Sequence, residues 1–184
     1  MMGDMSYAVV AYLPGRLGRF VDDLRRRLNP SRSCWLAHVT ILPPRSLQAT
    51  AEQAAAVLRQ TCAGFDPFEI TVNGLSTFWP VNGVVFLSIA AGSQRLVQLH
   101  DALNGEVLQQ QEVYPYVPHI TIAQQLTDDE TQAVLAEASQ QWDHFDGDAS
   151  FRVESLTLVQ QLPDNSWADL APISLGVFVS PSHT

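Results

Sequence analysis

His38-Val39-Thr40-Ile41 and His119-Ile120-Thr121-Ile122 write one four-residue pattern twice in the same chain. Its alternation suits a β-strand, in which residues i and i+2 share a face. Each histidine therefore stands beside its threonine, while Val39 and Ile41, or Ile120 and Ile122, point the other way into apolar packing. The surroundings repeat as well: in both halves a helix, a proline-containing lead-in or stop, and a short strand occur together.

Outward from the first motif, Tyr7 to Leu13 reads as a buried strand ended by Pro14-Gly15. Leu17, Phe20, Val21, Leu24 and Leu28 then recur at helical spacing, with Arg25, Arg26 and Arg27 near the C-terminal end, where cations suit the helix dipole. Asn29-Pro30 stops that helix. A strand over Cys34 to Leu42 is closed by Pro43-Pro44, and an alanine-rich helix over Ala51 to Cys62 is closed by Gly64. Phe68 to Leu75 and Val84 to Ala90 form a hairpin across Pro80 and Asn82-Gly83. A helix from Ser93 to Gln111 precedes the second motif, whose strand runs from Pro118 to Gln124. A helix from Asp128 to Gln141 and two long strands, Phe151 to Gln161 and Trp167 to Val179 around Pro163-Asp164-Asn165, complete the chain. This mixed order predicts an α+β fold with antiparallel sheets rather than a doubly wound parallel sheet. No linker divides it, so residues 1–184 read as a single domain.

Composition narrows the chemistry. The 184 residues are 46% apolar and 16% charged, which excludes a disordered or fibrous chain. No apolar stretch approaches the ~20 residues that span a bilayer. The start, Met-Met-Gly-Asp, lacks a basic leader and an apolar core, so the expected location is cytoplasmic. Two cysteines, Cys34 and Cys62, are too few for a disulfide scaffold or a four-cysteine zinc site. Every cationic side chain is arginine; without lysine, Schiff-base and P-loop chemistry are excluded. The net charge of -9 argues against long nucleic acid as a partner but leaves room for a small anion in a local pocket.

Paired histidines with neighbouring hydroxyls suit phosphodiester cleavage. One group must take a proton from the nucleophile and another must give one to the departing oxygen, and imidazole does both near neutral pH. Thr40 and Thr121 can donate hydrogen bonds to non-bridging phosphate oxygens, where charge develops. Neither step requires a metal or a cofactor.

The two motifs resemble those of the 2H phosphoesterase superfamily, which includes the 2′-5′ RNA ligase-like proteins and the RNA 2′,3′-cyclic phosphodiesterases. The resemblance extends over most of the chain and implies two pseudo-symmetric lobes of antiparallel sheet with outer helices, with a cleft between them. It also implies metal-independent hydrolysis of a 2′,3′-cyclic phosphodiester on a nucleotide or RNA end. In that reading His38 is the proton donor, His119 the acceptor, and Thr40 and Thr121 hold the phosphate. A 2′-5′ RNA ligase-type activity and a catalytically weak nucleotide-binding module are the alternatives. One departure stands out: where many relatives carry a basic residue after the second threonine, this chain has Ala123-Gln124-Gln125. Phosphate charge must then be met elsewhere, with Arg45 as the candidate and Arg32 behind it.

Several further features have simpler readings. Tyr114 and Tyr116 precede the second motif, where a ring could stack on a base, with Tyr116 the substrate-binding candidate and packing the competing role. Phe78 and Trp79 could line a pocket rim or cap a sheet. His100 falls on the apolar face of its helix and reads as structural. His144 lies in an acidic loop lacking the alternating oxygen ligands of an EF-hand. His183 lies in a polar tail. Thr127 and Glu130 have the spacing of a capping box. A metal site built on the two motif histidines would need a carboxylate, and neither motif has one nearby in sequence.

Overall fold

A computed structural model describes residues 5–176. Eight strands and four helices follow in the order β1 (Tyr7–Tyr12), α1 (Gly15–Leu28), β2 (His38–Arg45), α2 (Ala51–Cys62), β3 (Phe68–Thr77), β4 (Val85–Ile89), α3 (Ser93–Leu103), β5 (His119–Ala123), α4 (Asp128–Asp143), β6 (Ser150–Val153), β7 (Ser155–Gln161) and β8 (Trp167–Ser174). Two four-stranded sheets result, ordered β2-β1-β7-β8 and β5-β4-β3-β6, and every pairing is antiparallel. The α+β class and the two matching lobes are therefore as expected.

The symmetry is one of roles. In the first sheet β1 runs into α1 and returns as β2; in the second, β4 runs into α3 and returns as β5. The returning strand carries the His-x-Thr motif in each case and takes the outer position of its sheet. Behind both motif strands the apolar residues join one continuous core, with Val39, Ile41, Ile120 and Ile122 essentially inaccessible. Burying such side chains stabilises each strand by about 1.5–3 kcal/mol per residue, and a one-residue slip would bring both histidines into that core.

Helix boundaries follow local chemistry. Thr50 caps α2 in a reciprocal box with Gln53, and Thr127 does the same for α4 with Glu130. Other boundaries differ from expectation. The first motif strand begins at His38 rather than Cys34 and continues through Pro43-Pro44 to Arg45. Its outer side carries no ladder, so missing N–H groups are tolerated there, and the pairing with β1 shifts register at this end. Helix α3 ends at Leu103, eight residues short of Gln111, because the chain turns at Asn104-Gly105 into a 3-10 turn at Glu106–Leu108. The run expected as one strand from Phe151 to Gln161 is two strands in different sheets: β6 pairs with β3, and after Glu154 β7 pairs with β1 and β8. The last strand ends at Ser174, and Val179 and His183 lie outside the described residues. Among the described residues no helix is long and apolar enough to cross a membrane.

Candidate active site

Strands β2 and β5 adjoin one another across the two sheets, which brings the two motifs to one place. Along each strand the motif alternates half-buried and buried, so His38 with Thr40 and His119 with Thr121 are the pairs left accessible. Two cavities open beside them. One, of about 370 Å³, is lined by His38, Thr40 and Thr121; the other, of about 590 Å³, is lined by His119 and the same two threonines. Thr40, Pro44, Thr121 and Gln124 line both. The cavities are thus two arms of one cleft, with the hydroxyls in the middle and an imidazole in each arm.

Both histidines are oriented by the same device. His38 Nδ1 lies 2.6 Å from the Leu36 carbonyl oxygen, and His119 Nδ1 lies 2.6 Å from that of Val117. A carbonyl only accepts, so each ring carries its proton on Nδ1 and, when neutral, keeps a lone pair on Nε2. Among the described residues neither Nε2 has a hydrogen-bond partner within the protein, which leaves both atoms for a ligand. Aromatic edges hold the rings: Tyr12, opposite His38 in the ladder, meets it edge-on at 6.5 Å, and Phe78 and Phe86 flank His119 at 5.1 Å each.

Desolvation sets the protonation. The His38 imidazole is pushed down to about 4, chiefly because the cleft strips its water; its bond to Leu36 opposes this, and the charges of Arg25 and His119 add to it. His119 is also held below the ordinary histidine value, again by desolvation first. His38 is the more strongly perturbed of the two half-buried rings, and the charge of Arg25 acts on it. Free of ligand, both rings are neutral at pH 7.

Arg45 stands apart from the cleft, contrary to the role expected for it. It is 3% exposed, and its guanidinium donates to Asn104, to the carbonyls of Pro43 and Leu108, and to Glu112 at 2.7 Å. With these donors engaged on the protein it has no reach to a phosphate; the strand running on through Pro44 turns it inward. Arg32 is occupied with the Gln125 side chain. Tyr116 does line the cleft, but its hydroxyl donates to the Thr40 carbonyl at 2.8 Å and one ring face stacks on His100 at 4.0 Å. His100 is structural as expected, 4% exposed, with Nδ1 bonded to the Ile41 carbonyl at 2.8 Å. Phe78 lines the cleft, whereas Trp79 is an exposed residue of the hairpin. Among the described residues no group of three or more His, Cys, Asp or Glu side chains is placed to hold a metal ion.

The sequence reading missed Arg25, Trp35, Trp167 and Asp169, which line the arm beyond His38. Arg25 had a legible signal. It follows Val21 by four positions and Leu17 by eight, which sets it on the apolar face of α1, unlike its exposed neighbours Arg26 and Arg27. Trp167 and Asp169 had none, because β8 reaches the cleft only through its pairing with β7.

Comparison with known proteins agrees with this fold. A Bacillus licheniformis protein, provisionally named a phosphoesterase, is 28% identical over 177 residues, covering 94% of this chain and 99% of its own length. A Halalkalibacterium halodurans protein with the same provisional name is 29% identical over 174 residues, covering 94% and 98%. Among solved structures, Escherichia coli LigT complexed with 3′-AMP superposes with a TM-score of 0.60 at 18% identity, covering 95% of this chain and all of that one. LigT complexed with ATP gives a TM-score of 0.64 at 17% identity, covering 94% and 99%. Residues 13–165, which hold both motifs and the cleft elements other than β1 and β8, match the 2′-5′ RNA ligase superfamily, and the chain belongs to that family.

Proposed function

We propose that this protein hydrolyses 2′,3′-cyclic phosphodiesters at the end of a nucleotide or short RNA, by general acid-base catalysis shared between His38 and His119. The observation that carries the reading is the pair of unpartnered Nε2 atoms in the two arms of a cleft whose centre holds Thr40 and Thr121. The ligands named in the LigT structures, 3′-AMP, ATP and phosphate, are of the class such a cleft would take.

Neutral His119 accepts a proton at Nε2 from a water molecule, whose oxygen attacks the cyclic phosphorus. The bond from phosphorus to the 3′ oxygen breaks, and His38, protonated at Nε2, delivers its proton to that oxygen. A 2′-phosphate and a free 3′-hydroxyl result, and exchange with solvent restores the two rings. Thr40 and Thr121 donate to the non-bridging oxygens as charge accumulates there. The stronger desolvation of His38 makes its imidazolium the stronger acid of the two, which suits the donor role. Substrate helps to load it: the phosphate anion favours the charged ring and raises its pKa on binding.

The test is turnover of 2′,3′-cyclic nucleotides in excess chelator, with products identified by phosphorus NMR. Conversion to a 2′-monophosphate at an unchanged rate is expected. Turnover that vanishes with chelator would exclude this mechanism.

A further inference from the structure

Arg25 is 4% exposed, yet it has no carboxylate within ion-pairing distance among the described residues. Its one hydrogen bond there is long, Nη1 to the Leu36 carbonyl oxygen at 3.4 Å. Arg45, the other buried arginine, shows what a structural guanidinium looks like, with four bonds, one of them to a glutamate. An unpaired cation held away from water is costly unless something completes it.

Its position says what would complete it. The Leu36 oxygen that Arg25 approaches also receives His38 Nδ1–H, so guanidinium and imidazole converge on one atom. Arg25 lines the same arm of the cleft as His38, Thr40, Thr121 and Gln124. The end of α1 is docked against the end of β5, where Asn29 accepts from the Gln124 backbone N–H at 3.2 Å and Arg32 donates to Gln125. The cation that β5 lacks at Gln124 is therefore available from α1.

We infer that Arg25 is the anion-binding residue of this site, contacting the non-bridging oxygens of the reacting phosphate group. The inference rests on the function proposed above and names the side chain that meets the substrate's charge. A planar guanidinium presents a fork of donors matched to phosphate oxygens. Because Arg25 comes from a helix rather than from the motif strand, the neutral Gln124 does not make the cleft unfit for an anion, and the reading as a catalytically weak module loses its motive. Asp22 and Cys34 lie close enough to favour the charged guanidinium, while burial works against it; bound phosphate would offset that desolvation.

The experiment measures inorganic phosphate binding by calorimetry, kcat/KM on a 2′,3′-cyclic nucleotide, and the His38 titration by NMR, in wild type, Arg25→Gln and Arg25→Lys. Arg25→Gln should weaken phosphate binding about tenfold or more and lower kcat/KM at least as far, with Arg25→Lys in between. The His38 titration should move to higher pH in Arg25→Gln, since a neighbouring cation is removed. A purely structural arginine would leave phosphate affinity and kcat/KM unchanged in the folded variant even though the His38 titration moves, and that outcome overturns the inference. If Arg25→Gln does not fold, Arg25→Lys decides: wild-type phosphate affinity and kcat/KM with a reduced melting temperature also overturn it. Phosphate binding that depends on Arg25 without any turnover by wild type would sink the proposed hydrolysis and keep the anion site. Wild-type turnover that is indifferent to Arg25 would do the reverse.

Discussion

The Tyr116 hydroxyl donates a 2.8 Å hydrogen bond to the backbone oxygen of Thr40, so the segment leading into the second motif is fastened to the strand of the first. This bond joins the two halves of the cleft directly. Tyr116→Phe keeps the ring and its stacking on His100 but removes the bond. The variant should lose about 1 kcal/mol of stability in urea denaturation and show a lower kcat at little-changed KM. A large KM increase with unchanged stability would instead mark Tyr116 as a group that binds substrate through its hydroxyl.

Arg45 and Arg25 should separate cleanly on mutation. Arg45→Ala strands Glu112, Asn104 and the Leu108 carbonyl in a poorly hydrated region, with an expected cost on the order of 3–5 kcal/mol. Denaturant melts would register that loss, while phosphate affinity of the folded fraction should stay near wild type. A weakened phosphate affinity in Arg45→Ala, with stability intact, would restore Arg45 to the cleft.

The depressed histidine values fix the direction of two pH effects. His38 titrates near 4 in the folded protein and near 6.5 when unfolded, so the unfolded chain binds more protons between these values. The stability associated with its neutral form is therefore fully present above about pH 6.5 and is lost as the pH falls toward 4. His119 acts in the same direction. Melting temperature should drop as the pH is lowered through this window, and His38→Asn should flatten the slope. For catalysis, one ring must be charged and the other neutral, so kcat/KM should follow a bell with its maximum on the acid side of pH 6.5 whichever ring is the acid. The kcat profile should sit at higher pH, because bound phosphate favours imidazolium. A kcat/KM maximum above pH 7 would contradict the desolvated setting of both rings.

Much of this was written locally. The period-two alternation of the motifs put His and Thr on the open face, and Thr127 with Glu130 marked the start of α4. The misreadings arose where a distant element decides the local outcome. Pro43-Pro44 ends a strand only if both sides need N–H donors, and the outer position of β2 removes that need. The break at Glu154 reflects a passage between sheets that no local pattern encodes. Arg45 and Arg25 exchanged roles for a similar reason: proximity in sequence to a motif favoured the first, whereas the docking of α1 on β5 places the second.

Trp35 and Trp167 meet edge-on at 5.9 Å in the arm beyond His38, while Trp142 packs against Phe20 and Phe145 away from it. Binding of a 2′-nucleotide should quench intrinsic fluorescence. Trp35→Phe and Trp167→Phe should each reduce the amplitude, and Trp142→Phe should leave the fractional change in the remaining signal intact. Quenching that survives in the Trp35→Phe, Trp167→Phe double variant would place the ligand in the other arm.

The most direct measurement is the single-turnover rate on a 2′,3′-cyclic nucleotide for wild type, His38→Ala, His119→Ala and the double variant, each confirmed as folded. Each single substitution should slow the chemical step about 10²–10⁴-fold, and the double should be far less impaired than the product of the two, because the rings act as one unit. Wild-type rates in either single variant would contradict the shared acid-base mechanism.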